Sequence, residues 1–210
     1  NYPLSALADD VAGLLDFLSV DRAHIFGISL GGMVAQLLAH HHPQRVLSLC
    51  SVMSSSGNPD LPPMADHVKE ALFRQAEGRE AIVRLDAENR ALFGSPGYPE
   101  NEQTRLTAAR AAYDRCYCPQ GVGRQLGAAM SDGSRVERLK TIDAPTLVIH
   151  GAADLLLSPA CGEDTAKCIS GAELAIVDGM GHNIPDALAP HIVELVGDFI
   201  GRRAAASGNR

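Results

Sequence analysis

The sequence predicts an α/β fold: a mostly parallel sheet flanked by helices and interrupted by an inserted helical segment. Three observations carry that expectation. Short apolar runs at 23–28, 46–53, 145–151 and 174–177 alternate with longer stretches of helical periodicity, as parallel strands joined by crossover helices require. Residues 59–140 break the alternation and show helical patterns alone. Gly27-Ile28-Ser29-Leu30-Gly31-Gly32 lies where a strand pattern gives way to a helix pattern, the context in which G-x-S-x-G becomes a nucleophile elbow.

Leu4, Leu7, Ala8, Val11, Leu14, Leu15 and Leu18 recur at helical spacing and predict an amphipathic first helix ending near Ser19-Val20-Asp21. The strand to Ile28 follows, then a helix stopped by Pro43. Residues 46–53 are nearly all apolar, which suits a strand buried on both faces. Within the insertion, helical patterns fall at 65–76, 79–93, 100–116 and 120–131, with Gly94-Ser95-Pro96-Gly97-Tyr98-Pro99 breaking the second from the third. Placed after a strand end, these helices are expected to form a lid over the elbow. Phe73, Phe93, Tyr113 and Met130 are candidates for its pocket or its own core. The strand pattern resumes at 145–151, and Ser158-Pro159 then starts a helix with good cap and first-turn chemistry. Beyond the strand at 174–177, Leu188, Ile192, Leu195, Val196, Phe199 and Ile200 mark one face of a closing helix. Residues 201–210 read as a frayed polar tail.

Composition bounds the function classes. The 210 residues suit one domain with a sizeable core and an inserted subdomain. A formal charge of −7 argues against nucleic-acid and anionic-membrane partners. No apolar run approaches the ~18 residues of a membrane span. The five cysteines are odd in number and lack zinc-ligand spacing, so a reduced, cytoplasmic protein is expected. No metal or cofactor pattern is read. Consecutive His40, His41 and His42 point about 100° apart on a helix and cannot converge on one ion, so they read as a solvated helix end.

Three residues each follow the C-terminal end of a predicted strand: Ser29, Asp154 and His182. A serine hydroxyl is a poor nucleophile until a base takes its proton during attack. His182, with two ring nitrogens, suits that base. Asp154 suits the acid that orients the imidazole and stabilises its protonated form. The other reading of Asp154 is a simple turn residue; Glu163 and Asp164, on the following helix, point poorly. Gly27 and Gly31 are expected because a Cβ at either would collide within so tight a turn, and Gly32 for close helix–strand packing. The Leu30 N–H, opening the helix, is the expected backbone donor to an oxyanion.

The order Ser…Asp…His, with Gly27-Ile28-Ser29-Leu30-Gly31-Gly32, His150-Gly151-Ala152-Ala153-Asp154 and Gly179-Met180-Gly181-His182, resembles the α/β-hydrolase superfamily. The likeness is to lidded bacterial serine esterases and lactonases, aclacinomycin methylesterase-like members included. It spans essentially the whole chain outside the insertion. The resemblance implies a core of residues 1–58 and 141–210, a lid at 59–140 and a catalytic triad of Ser29, Asp154 and His182. It further implies a small or medium carboxylic ester or lactone substrate, cleaved through an acyl-enzyme without a cofactor. Serine at the elbow excludes relatives with aspartate there, the haloalkane dehalogenases and epoxide hydrolases. Carbon–carbon bond hydrolases, perhydrolases and acyltransferases stay open, as does a ligand-binding receptor or inactive fragment on the same fold.

The resemblance also implies four strands before the first helix, with a loop, usually carrying a His-Gly pair, that supplies a second oxyanion N–H. The chain opens at that helix. The expectation is therefore the C-terminal part of the sheet only. Either the chain is a piece of a longer protein, or an upstream piece or a partner chain, as in a homo-oligomer, completes the sheet. The strand ending at Ile28 would then be an exposed apolar edge.

Overall fold

The computed structural model describes residues 2–207. Among them, four parallel strands form one sheet in the order β1 (Ala23–Ile28), β2 (Val46–Val52), β3 (Thr146–Gly151) and β4 (Glu173–Val177). Each lies where an apolar run places it. β2 is buried at all but one position, pairing Cys50 with Phe26 on one side and with Leu147 on the other. β1 alternates instead, because it lies at the edge. Phe26 is 45% exposed and Ile28 42%, the apolar edge that the sequence led us to expect.

Alternation along the strands divides the core into two clusters on opposite faces. Leu49 joins α1 (Leu4–Phe17) and α2 (Leu30–His41), through Leu4, Ala8, Leu37 and Leu38. Cys50, Val52, Leu147, Ile149 and Val177 meet Leu188, Ile192 and Phe199 at the start of and along the closing helix. A fully buried aliphatic or aromatic side chain contributes about 1.5–3 kcal/mol. Two such clusters hold the strand ends firmly.

The insertion comprises α3 (Asp66–Phe73), α4 (Arg79–Leu92), α5 (Glu102–Arg115) and α6 (Pro119–Ser131), each within or close to a predicted stretch. α4 and α5 share a small core of Val83, Ala87 and Ala109, with Leu106 and Tyr113 at its margin. Ala128 of α6 belongs instead to the α1–α2 cluster. A short α7 (Val136–Leu139), which no sequence pattern announced, returns the chain through buried Leu139 and Ile142. Exit and re-entry meet: the Arg135 N–H donates to the Ser56 carbonyl at 2.8 Å. The Arg135 guanidinium is buried, where it donates to Ser55 O, Gln36 Oε1 and the Asp132 carboxylate. Three good acceptors offset the cost of removing that charge from water.

Other expectations require correction. Residues 201–207, read as a frayed tail, continue α9 (Ala189–Ser207), because arginine and alanine are strong helix formers; 208–210 lie outside the described residues. Ser158 stands at the N-cap of α8 (Pro159–Cys168) but makes no capping bond, and its hydroxyl is buried without a partner. Phe73 and Met130 are largely exposed, whereas Tyr113 stacks on Tyr117. His40 and His42 are not simply solvated: His40 Nδ1 meets Thr141 Oγ1 at 2.6 Å and His42 Nε2 meets Asp9 Oδ1 at 2.8 Å. No helix among the described residues is long and apolar enough to cross a membrane.

Candidate active site

β1 delivers Ser29 at φ 53°, ψ −118°, a strained backbone for a residue with a Cβ. Neighbours impose it. The Ser29 N–H donates to the Val52 carbonyl at 2.9 Å, and its own carbonyl accepts from Ser54 Oγ at 2.9 Å. A Cβ on Gly27 would run into the Gly31 carbonyl, and one on Gly32 would lie 2.6 Å from Ser54 Cβ. Gly31 departs from the expectation, since a Cβ there meets nothing within 4 Å. The crowding is between the Gly27 α-carbon and the Gly31 carbonyl, so glycine is required only at the first of them.

Ser29 is the N-cap of α2, yet its hydroxyl makes no capping bond. Its Oγ lies 2.9 Å from His182 Nε2. On the other side of the ring, Nδ1–H donates to Asp154 Oδ2 at 2.7 Å. A ring that donates from Nδ1 to a carboxylate leaves Nε2, in the neutral form, as an acceptor for the serine proton. Asp154 Oδ1 meanwhile accepts the N–H groups of Leu156 and Leu157 at 2.9 and 3.0 Å. Asp154 is thus both the turn residue and the histidine's partner, one oxygen for each.

The Asp154 side chain is fully buried. Burial pushes its carboxyl up, but hydrogen bonds from His150 and His182, the His182 charge and the Leu157 N–H outweigh it and hold the pKa at about 2. His150 is the contributor that sequence reasoning missed. It is fully buried on β3, its Nε2–H donates to the Leu157 carbonyl at 2.8 Å, and the same nitrogen lies 3.5 Å from Asp154 Oδ2. Its place in the His150–Asp154 motif was the available signal. Asp164 faces elsewhere, bonded to Ser56 Oγ and Asn58 Nδ2. Leu30 opens α2, so its N–H belongs to the first turn and has no intrahelical acceptor. Phe93 is the one pocket candidate near this centre. With Asp86, Asn89, Arg90 and His182 it lines a cavity of about 260 Å³.

The sequence model of the alpha/beta hydrolase fold matches residues 1–186. The chain belongs to this family. Among curated proteins it is similar to the putative carbamate hydrolase RutD of Caulobacter sp. (strain K31), 28% identical over 183 residues, 86% of this chain and 66% of that protein. It is likewise similar to the pimeloyl-[acyl-carrier protein] methyl ester esterase of Neisseria meningitidis serogroup B (strain H44/76), 29% identical over 206 residues, covering 95% and 75% respectively. The enol-lactonase from Burkholderia xenovorans LB400 superposes with a TM-score of 0.73 at 26% identity, covering 95% of this chain and 74% of that one. The chain therefore spans about two thirds to three quarters of the length of these relatives.

Proposed function

We propose that this chain carries the catalytic centre of a serine hydrolase acting on a small or medium carboxylic ester or lactone. The supporting observation is the hydrogen-bonded line from Ser29 Oγ through His182 to Asp154, closed at 2.9 and 2.7 Å. In this reading Ser29 Oγ attacks the carbonyl carbon while its proton passes to His182 Nε2. Ionised Asp154 stabilises the resulting imidazolium. The Leu30 N–H, at the positive end of α2, donates to the oxyanion. Collapse returns the proton from His182 to the departing alcohol oxygen, leaving an acyl group on Ser29 that water removes by the reverse sequence. The methyl ester esterase and the enol-lactonase among its relatives support the substrate class. Residues 59–140 act as the lid, and the cavity between α4 and His182 supports that role. The free cysteines suit a reduced, cytoplasmic setting.

Intact-mass spectrometry after treatment with a fluorophosphonate tests the reading, with Ser29→Ala alongside. One adduct on the wild-type chain and none on the variant is the expected outcome. An adduct that persists in Ser29→Ala, or no adduct at all, overturns the role of Ser29. A panel of esters, lactones and vinylogous diketones then separates ester cleavage from carbon–carbon bond cleavage.

A further inference from the structure

We infer that Ser95 is a positioning residue for His182, fastening the α4–α5 turn to the loop that carries the histidine. The inference rests on the serine-hydrolase reading above. Ser95 is 4% exposed, although it sits in a turn of the insertion far from the sheet in sequence. Its Oγ accepts the Gly181 N–H at 2.9 Å. Its proton faces Asn183, whose Oδ1 lies at 2.7 Å and whose carbonyl lies at 3.0 Å. One hydroxyl therefore engages the residues on both sides of His182. A hydroxyl has a proton and two lone pairs and can do both at once, whereas a methyl group can do neither.

Parallel contacts reinforce the join. The His182 N–H donates to the Phe93 carbonyl at 2.7 Å, and the Gly97 N–H to the Gly179 carbonyl at 2.9 Å. Asn183 Nδ2 donates to Glu100 Oε2 at 3.2 Å. The two backbones touch: a Cβ on Gly97 would lie 2.8 Å from Gly179 Cα, and one on Gly181 would run into the Gly94 carbonyl. Gly179 has φ +71°, a conformation glycine adopts without penalty. The backbone at 181–183 decides where the imidazole stands relative to Ser29, and at each of those residues it is bonded to the insertion. The α4–α5 turn is thus the fixed end of the insertion. Any opening over the site must come from the rest of it, since lifting this turn would displace the histidine.

The test compares Ser95→Ala with the wild-type chain in kcat and KM on an aryl ester, and in amide hydrogen exchange of the peptide spanning 179–184. A displacement of about 1 Å at a catalytic group costs on the order of 10²-fold, so kcat should fall by about 10- to 100-fold while KM changes little. Exchange across 179–184 should accelerate. In a His182→Ala background, Ser95→Ala should cost nothing further, because its effect runs through the histidine. Unchanged kcat, or an equal loss in that background, overturns the inference. Gly97→Ala, which drives the turn and the loop apart, should reproduce the pattern and serves if Ser95→Ala does not fold. If the wild-type chain neither hydrolyses esters nor reacts with a fluorophosphonate, the serine-hydrolase reading fails. Exchange still decides the join: protection of 179–184 that is unchanged in Ser95→Ala overturns it.

Discussion

The strand ends and the α4–α5 pair use polar groups in opposite ways. At the strand ends charge is buried and answered: Asp154 accepts from Leu156, Leu157 and His182 in a fully buried position, and Arg135 donates to three partners. On α4 and α5 the charged groups meet in water, as in Arg79–Asp114 and Arg74–Glu88, above a core of three small buried side chains. Exposed pairs of that kind are screened and contribute little, whereas a buried group left unanswered is costly. Buried and fully partnered polar groups are therefore concentrated at the strand ends, where Ser29, His182 and Asp154 meet. The α4–α5 pair shares in this only at the turn that reaches the histidine.

The largest effects are expected at Ser29 and His182. Ser29→Ala and His182→Ala should each lower ester turnover by about 10⁴–10⁶-fold while leaving the thermal unfolding midpoint nearly in place. Paired rate and melting measurements check both halves of that statement. Asp154→Asn should cost about 10⁴-fold in kcat, because the amide no longer fixes the Nδ1–H tautomer. The same residue sets an acid limit. Its folded pKa is depressed to about 2 from an ordinary 3.8, so the stability it contributes is complete above that ordinary value and is lost as pH falls through about 2. Urea titrations between these limits should show the wild-type chain losing on the order of 2 kcal/mol that Asp154→Asn does not lose.

Core substitutions sharpen the contrast. Leu49→Ala, fully buried under α1 and α2, should destabilise by about 2–5 kcal/mol. Leu106→Ala, at the margin of the α4–α5 cluster, should cost clearly less in the same denaturant series. The smallest effect is expected at Arg79→Ala. Its partner Asp114 is held below the usual carboxylate range by a hydrogen bond from Arg79, yet both groups are open to solvent. Neither the unfolding midpoint nor ester turnover should move.

The sequence was most legible where chemistry and periodicity coincide. Ser29, Asp154 and His182 each follow an apolar run, and the structure brings all three into hydrogen-bond contact. The insertion's helices were readable from spacing because each buries one face. What stayed hidden is tertiary. Ser95 sits in a Gly/Pro-rich turn whose composition announces a break and nothing more. His150 shares a short motif with Asp154, but only the fold sets its ring beside the carboxylate. The collision assigned to Gly31 belongs to its carbonyl and falls on Gly27, a distinction that no spacing encodes. The tail at 201–207 misled in another way, since polarity suggested fraying while arginine and alanine favoured the helix.

Arg135 has a consequence that reaches beyond stability. Ser55 and Arg135, 80 positions apart, are joined by a hydrogen bond of 2.8 Å, so the insertion begins and ends at nearly one point in space. A segment with coincident ends can be exchanged for another of different length or helix number without stretching the scaffold that hosts it. Gln36, Ser55 and Arg135 form the socket for such an exchange, and a replacement module would still have to meet the scaffold at the 93–97 turn and where Ala128 packs against α1 and α2. The fold is therefore suited to module replacement, the insertion being exchanged while Ser29, Asp154 and His182 keep their places beyond the strand ends.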